Sequence, residues 1–545
     1  MKNVKILDCT LRDGARIVDC KLPDGDISDI VNRLTDANID IVEVGFLRDW
    51  RTVNYDGNST FFTKTEQIET FLPKKRGATL YVAFVDYGMF DFDSLGPYNG
   101  KSIDGIRVGF TRKDYLSSRD DIIRCLHKVK KLGYKLIIQG VNTLGYSDIE
   151  LLDIIQMANS IHPYGFGIVD TYGAMYVDDV RRIFTLVDHN LLDDICIDFH
   201  SHNNFQLSFA FSQEVIDLSK GVRKIILDAT LNGMGKCAGN LNTELIVDYL
   251  VRKKGYYYDF DSLLDIIDEY MYAIKENNTW GYSIPAMMAG IYKSHPNNVL
   301  YLTEKFRLAT KDIKHIMSMI DPEKRQRYDY DNINKLYIEY NHTKVDDKLM
   351  IEKIKTILSK KKLLIVLPGN SLIEYREKIM EYVIKNNAFV ISVNFITDLV
   401  EVDNRMAFYG SSKRYKKSRG KEKEKNIIVV SNVENHSPSD MVVNYESLVE
   451  RDNEDFDNTM IMLLNLLKRL GIDKFAIAGF DGYVKGGKNY FDDTLFEGNR
   501  FETKYDSITE NMRRMLKNYV STLDNQYCIN FLTPSVYSEL FEGTM

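Results

Sequence analysis

The chain has 545 residues, 44% hydrophobic and 27% charged, with a formal net charge of −7. That length exceeds a single core at about 150 residues per domain, and the charge makes no polycation for nucleic acid. Six cysteines (Cys9, Cys20, Cys125, Cys196, Cys237 and Cys528) are scattered without C-x-x-C pairing, as free thiols of a reducing cytoplasm would be. No apolar run reaches the roughly 18 residues of a membrane span, so neither export nor membrane insertion is expected.

From residue 4 to about 254, short apolar runs alternate with segments of helical period. The expected strands are Val4–Asp8, Ile39–Phe46, Thr79–Val85, Gly105–Phe110, Lys135–Val141, Gly165–Asp170, Cys196–His200 and Lys224–Ala229. Helical periodicity marks Ile27–Ala37, Asp120–Leu132, Ile149–Ile161, Asp178–Asp188 and Gln206–Leu218. Eight strands with intervening helices in about 250 residues predict an α/β fold, the (β/α)8 TIM barrel, with least regular spacing after strands two and three.

In such a barrel the chemistry gathers at the carboxyl ends of the strands. Those ends carry Arg12 and Asp13, Glu43, Asp86, Arg107, Gln139 and Asn142, Asp170 and Thr171, then His200 and His202, followed by the loop Gly233–Asn240. His200 and His202 stand two residues apart on one strand, so both imidazoles face one side. Two imidazoles and a carboxylate are a recurrent set for a divalent cation with open positions.

Four blocks, Cys9–Gly14 (CTLRDG), Val42–Phe46 (VEVGF), His200–Asn204 (HSHNN) and Gly233–Asn240 (GMGKCAGN), resemble the signatures of the DRE-TIM metallolyase (HMGL-like) superfamily. This superfamily includes 4-hydroxy-2-oxovalerate aldolase, the isopropylmalate and homocitrate synthases and hydroxymethylglutaryl-CoA lyase, and the likeness covers roughly the first 300 residues. The resemblance implies a metal-dependent carbon–carbon lyase, an aldolase acting on a pyruvate-like 2-oxo acid through a metal-stabilised enolate. Asp13, His200 and His202, with Asn240 as a further ligand, would hold Mn2+ or Mg2+. Arg12 would hold the enolate oxygen, its permanent charge and rigid fork suiting that task; the alternative is an ion pair tying strand one to its loop. Thr171 would bind the substrate carboxylate or cap a helix. Glu43 and Gln139 are read as substrate-binding or supporting groups. The other implied readings are an acetyl-CoA-dependent Claisen synthase and a non-catalytic metal-binding scaffold.

One departure concerns proton transfer. The aldolases carry a histidine two residues after the motif glycine, where this chain has Arg16, and arginine is a poor base. Tyr282, His295 or a metal-bound water are the substitutes, with packing roles as the alternative for the two side chains. Cys237 is read as structural rather than reactive.

Residues 256–345 form an expected helical extension, with amphipathic period at Asp261–Glu269 and Thr303–Met319, of a kind associated with homodimers. Residues 346–545 are expected to form an open-sheet, Rossmann-like α/β domain. Its strands begin at Leu363 and continue at Phe389–Asn394, Asn426–Ser431 and Lys474–Ala478, with helices at Glu374–Lys385 and Thr459–Leu470. The turn Pro368-Gly369-Asn370-Ser371 offers amides to a phosphate, and Gly479–Tyr483 sits where a ligand loop is expected. By analogy with aldolase-like proteins of surface-polysaccharide biosynthesis, this domain would bind or present a sugar-linked partner, with a scaffold or dimerisation domain as the alternative; the small-molecule partners expected of the whole protein are a 2-oxo acid and an aldehyde or sugar-linked partner. The basic run Lys413–Lys425 is read as a solvated loop.

Overall fold

The computed structural model describes residues 3–305, 308, 310–341, 345–396, 399–400, 402–418, 426–449, 458–492, 495, 505–523 and 527–541. The chain divides into two compact units, Met1–Ile333 and Asn334–Met545.

In the first unit eight parallel strands close into a barrel: β1 (Val4–Asp8), β2 (Ile41–Leu47), β3 (Leu80–Asp86), β4 (Gly105–Phe110), β5 (Lys135–Gly140), β6 (Gly165–Asp170), β7 (Cys196–Ser201) and β8 (Ile225–Ala229). Closure comes from β1, which pairs with β8 through Val4↔Ile225 and with β2 through Leu7↔Ile41. The strands are buried on both faces, which is why they read as continuous apolar runs. Helices between them start where the sequence supplies caps: Thr111 opens Arg112–Lys131 and Ser147 opens Asp148–Ile161, each in a reciprocal pair with the acidic residue three positions on.

The irregular spacing after β2 and β3 has a structural cause. A two-residue strand, Phe61–Phe62, lies parallel against the end of β2, ahead of a short helix Thr65–Glu69. The close approach needs Gly45, where a Cβ would meet the Thr60 carbonyl at 2.2 Å. After β3 the chain makes a short 3-10 turn, Phe92–Ser94, ahead of β4.

The barrel interior is layered with the two-residue period of its strands. Leu7, Ile41, Val82, Ile137, Cys196 and Ile226 form an apolar cluster. Two residues further along the same strands come Cys9, Glu43, Phe84, Gln139, Asp198 and Asp228, so the next layer is largely polar. One step beyond Asp198 stands His200, at the rim. Helices Phe260–Ile266, Ile284–Ile291, Pro296–Lys305 and Thr310–Met319 follow the barrel, in the stretch expected to be helical.

The second unit is an open parallel sheet of β9 (Leu363–Val366), β10 (Phe389–Val393), β11 (Arg405–Tyr409), β12 (Ile427–Val430), β13 (Met441–Val443), β14 (Lys474–Ala478) and β15 (Cys528–Phe531), in the order β13-β12-β11-β10-β9-β14-β15. Alternate residues of β9 enter different apolar clusters, Leu363 and Ile365 on one face and Leu364 and Val366 on the other, so both faces are covered. The strand order reverses between β9 and β14, the place where open α/β sheets bind ligands. There the phosphate expectation fails. The Asp481 carboxylate accepts from the Ser371 amide at 2.8 Å and from its hydroxyl, so the chain's own anion occupies the turn. Of the basic run, Lys413–Ser418 lies in a short helix and its neighbourhood, while residues 419–425 lie outside the described residues. Among the described residues no helix is long and apolar enough to cross a membrane.

Candidate metal centre

The polar layer of the barrel is built around Arg107, a guanidinium without solvent contact. It donates to Glu43 Oε1 at 3.0 Å, to Asp198 Oδ2 at 2.7 Å and to Asp228 Oδ2. Gln139 donates from Nε2 to Asp198. Burial pushes the Asp198 carboxyl up to about 7 against the pull of Arg107, and it shares a hydrogen bond with Asp228, whose pKa burial also raises. Three buried carboxylates around one cation are tolerable because one of them carries a proton for part of the time.

Glu43 links this layer to the rim. Its other oxygen accepts from Arg12 Nε at 2.6 Å, while Arg12 Nη1 donates to Asp13 Oδ1 at 2.7 Å. Burial opposes the Arg12 charge, but Glu43 and Asp13 overcome it and keep the guanidinium protonated. Among the described residues Arg12 Nη2 has no hydrogen-bond partner, so one edge of a fixed cation is left free.

At the rim three ligand-type groups converge. One ligand atom from each of Asp13, His200 and His202 lies within 4.8 Å of the other two. His200 Nδ1 faces Asp228 Oδ2 at 2.9 Å, which assigns its proton there and leaves the Nε2 lone pair 3.4 Å from His202 Nε2. Asp13 Oδ2 lies 3.6 Å from His202 Nε2. Burial holds both imidazoles down at about 4, with the Asp13 charge opposing, so both are neutral at neutral pH. Burial alone would raise the Asp13 pKa, yet Arg12, followed by the two histidines, holds it well below the usual carboxylate range.

Asn240 supplies the test of fit. Its amide nitrogen donates to Asp13 Oδ2 at 3.0 Å and to the Met234 carbonyl at 3.1 Å, which leaves Oδ1 a buried acceptor without a partner among the described residues. An orphaned buried oxygen beside two neutral imidazoles and an ionised carboxylate suits a hard or borderline divalent cation. The loop holding Asn240 is tightly made: His202 and Asn240 form an antiparallel bridge, and Asn203 N donates to the Gly239 carbonyl at 2.8 Å. Gly239 has φ +78°, and a Cβ there would stand 1.9 Å from the Gly233 carbonyl. A second group, Cys9, His200 and Asp228, also lies close together. Its cysteine is held as a thiol by burial and faces the Ala229 carbonyl at 3.3 Å, and its aspartate is engaged by Arg107, so it is not a competing ligand set.

Residues 107–269, from β4 through the helices after β8, match the HMGL-like family model. The chain carries an HMGL-like domain. The 4-hydroxy-2-oxovalerate aldolase of Moorella thermoacetica is 24% identical over 322 residues, covering 57% of this chain and 90% of that protein. The oxaloacetate decarboxylase of Mycobacterium tuberculosis is 25% identical over 249 residues, covering 46% and 70%. Among solved structures, the HMG-CoA lyase of Brucella melitensis aligns at 16% identity with a TM-score of 0.42, covering 51% of this chain and all of that one.

The remaining expected site residues lie in the barrel interior, at its rim and in the segments that follow it. Glu43 and Gln139 are inside the barrel, committed to arginine and aspartate partners. Thr171, after β6, accepts at Oγ1 from the Asn142 amide at 2.8 Å. It caps no helix: the next one, Val177–Asn190, begins after Tyr176. Tyr282 is exposed, its hydroxyl on the Met287 sulfur at 3.8 Å. His295 is pushed down to about 4 by burial, helped by the charges of Lys236 and Arg16, and its Nδ1 accepts from the Asn297 amide at 3.2 Å. Cys237 is raised to about 12 by burial, an unreactive thiol. Sequence reading passed over Asp198 and Asp228. The signal was there: a carboxylate at an inward-facing mid-strand position needs a buried cation, and Arg107 is the mid-strand cation.

Proposed function

We propose that the HMGL-like barrel is a divalent-metal-dependent carbon–carbon lyase of the aldolase type, working on the bond beside the ketone of a pyruvate-like 2-oxo acid. The observation that carries this reading is the convergence of Asp13, His200 and His202 with the unpartnered Asn240 Oδ1, next to an arginine with one free edge. A divalent cation such as Mn2+ or Mg2+, bound by those residues, supplies Lewis-acid polarisation of the substrate ketone.

The chain's own groups do the rest. Arg12 is fixed at Nε by Glu43 and at Nη1 by Asp13, so its Nη2 donors meet the growing negative charge on the ketone oxygen without reorganising. Arg107 holds Glu43 in turn. Asp228 fixes the His200 ring and its tautomer. The Thr171 hydroxyl oxygen is occupied as an acceptor, which leaves its proton to donate to the substrate carboxylate. Arg16, a permanent cation, takes no proton; transfer is proposed for Tyr282 or His295. The named activities of the two relatives, an aldolase and an oxaloacetate decarboxylase, support a reaction beside a 2-oxo acid carbonyl.

The test is proton exchange. Metal-loaded protein with pyruvate in D2O should lose methyl proton signal, and chelation should stop it. Metal binding without exchange for any 2-oxo acid overturns the proposal in favour of a scaffold. Thiol release from acetyl-CoA plus a 2-oxo acid, without exchange, overturns it in favour of a Claisen synthase.

A further inference from the structure

Beside the metal centre, over the ends of β1, β2 and β3, lies a second concentration of charge that the reading above does not use. Arg16 follows β1, Arg48 follows β2 directly, and Asp86 ends β3. Arg48 Nη2 donates to Asp86 Oδ2 at 2.7 Å, while its Nη1 is buried with no hydrogen-bond partner among the described residues. Arg16 is about half exposed, with two long ion pairs: Nε to Asp13 Oδ1 at 3.8 Å and Nη2 to Asp86 Oδ2 at 3.9 Å. Neither is a hydrogen bond. One carboxylate, Asp86, therefore serves two guanidiniums and satisfies one of them.

These cations share an apolar floor. The guanidinium carbons of Arg48, Arg16 and Arg12 lie 4.3, 5.0 and 5.8 Å from the centre of the buried Phe46 ring. Phe61 and Phe84 pack on Phe46 at 5.3 and 5.9 Å. Stacking fixes the guanidinium planes, and the low polarity beneath them strengthens any charge-assisted bond made above. A buried Arg N–H without an acceptor costs free energy that an anion would recover. Burial already lowers the Arg48 pKa, and Arg16 adds to this against Asp86.

Asp13 divides the two regions. Its Oδ2 faces His202 and Asn240, and its Oδ1 faces Arg12 and Arg16. A molecule seated beside the metal-bound 2-oxo acid would meet these arginines first. Resting on the aldolase reading, we infer that Arg16 and Arg48, beside Asp86, bind an anionic end group of the second substrate, an aldehyde carrying a carboxylate or a phosphate. Planar, bidentate donors are the side chains that such groups select.

Two measurements on the full-length protein test this, one of them independent of turnover. Succinate and inorganic phosphate are titrated calorimetrically into chelator-treated protein, so that no anion binds through a metal. One of the two should bind, and Arg16→Gln should weaken it by about tenfold or more; the ion preferred tells carboxylate from phosphate. Binding of neither ion, or binding indifferent to Arg16→Gln, overturns the inference. In the metal-loaded protein, condensation of pyruvate with propanal, succinic semialdehyde and glyceraldehyde 3-phosphate is compared as kcat/KM. A charged aldehyde should be favoured, and Arg48→Met should collapse the ratio to propanal by about tenfold or more, with Arg16→Gln as the second variant if Arg48→Met does not fold. Preference for propanal, or a ratio unmoved in both variants, overturns it. Loss of the aldolase reading is recognised separately, by absent pyruvate exchange, while the titration still reports on the arginines.

Discussion

The chain builds two parallel sheets, one closed and one open, and each places a carboxylate beyond the carboxyl end of a strand, Asp13 after β1 and Asp481 after β14. They treat those groups differently. At the reversal between β9 and β14, Asp481 satisfies the Ser371 amide and hydroxyl, and the turn is closed on itself. At the barrel rim, among the described residues, the Asn240 oxygen has no partner, the Nε2 atoms of His200 and His202 face each other at 3.4 Å, and Arg12 keeps a free edge. The lesson is that fold-level placement of a ligand site is a weak guide until the hydrogen bonds are followed. A site that has already answered its own donors offers little to a ligand.

The comparison can be broken most sharply at the ligands. Asp13→Ala or His200→Ala should abolish metal binding and pyruvate exchange while circular dichroism shows an intact barrel; exchange persisting in metal-depleted His200→Ala protein would refute the assigned centre. Arg12→Lys should retain the metal, measured by elemental analysis, and lose about 10²–10³ in rate, since a point charge cannot keep both fixed bonds and the free edge. Acid tests the ligands without mutation. Because burial puts both imidazoles at about 4, metal affinity should hold from pH 7 to about 5 and fall below about 4, rather than near the ordinary histidine value of about 6.5. The sign for stability follows. An unfolded chain takes up these protons from about pH 6.5 and the folded one does not until about 4, so the metal-free protein loses stability as the pH drops across that window. The smallest effect belongs to the open sheet. Asp481→Ala should leave exchange unchanged and destabilise its own unit by about 1–2 kcal/mol in denaturant unfolding, through the buried Ser371 amide left without its acceptor.

The barrel was legible because its strands are buried on both sides and end in polar clusters: Val4–Asp8, Gly105–Phe110 and Gly165–Asp170 are found where expected. Phe61–Phe62 was not, since two residues carry no period. In the open sheet β11 was missed although it is five residues long and largely buried, while β13 and β15 carry weaker signals: β13 has three residues, and β15 is an edge strand with an exposed cysteine and asparagine. At the rim, Asp13, His200 and His202 were readable as strand-end polar residues, and the structure draws them together. Arg48 was not, because nothing in its neighbourhood marks an arginine after an apolar strand as different from a solvated one. Its orphaned nitrogen is a property of the packing.

One carboxylate has a consequence for regulation of the whole mouth. Asp13 is the shared wall between the imidazoles and the arginines, one oxygen turned to each side. If a cation binds on the imidazole side and an anion on the arginine side, as proposed, the two affinities would be linked through this one group, and by thermodynamic reciprocity each would alter the other by the same factor.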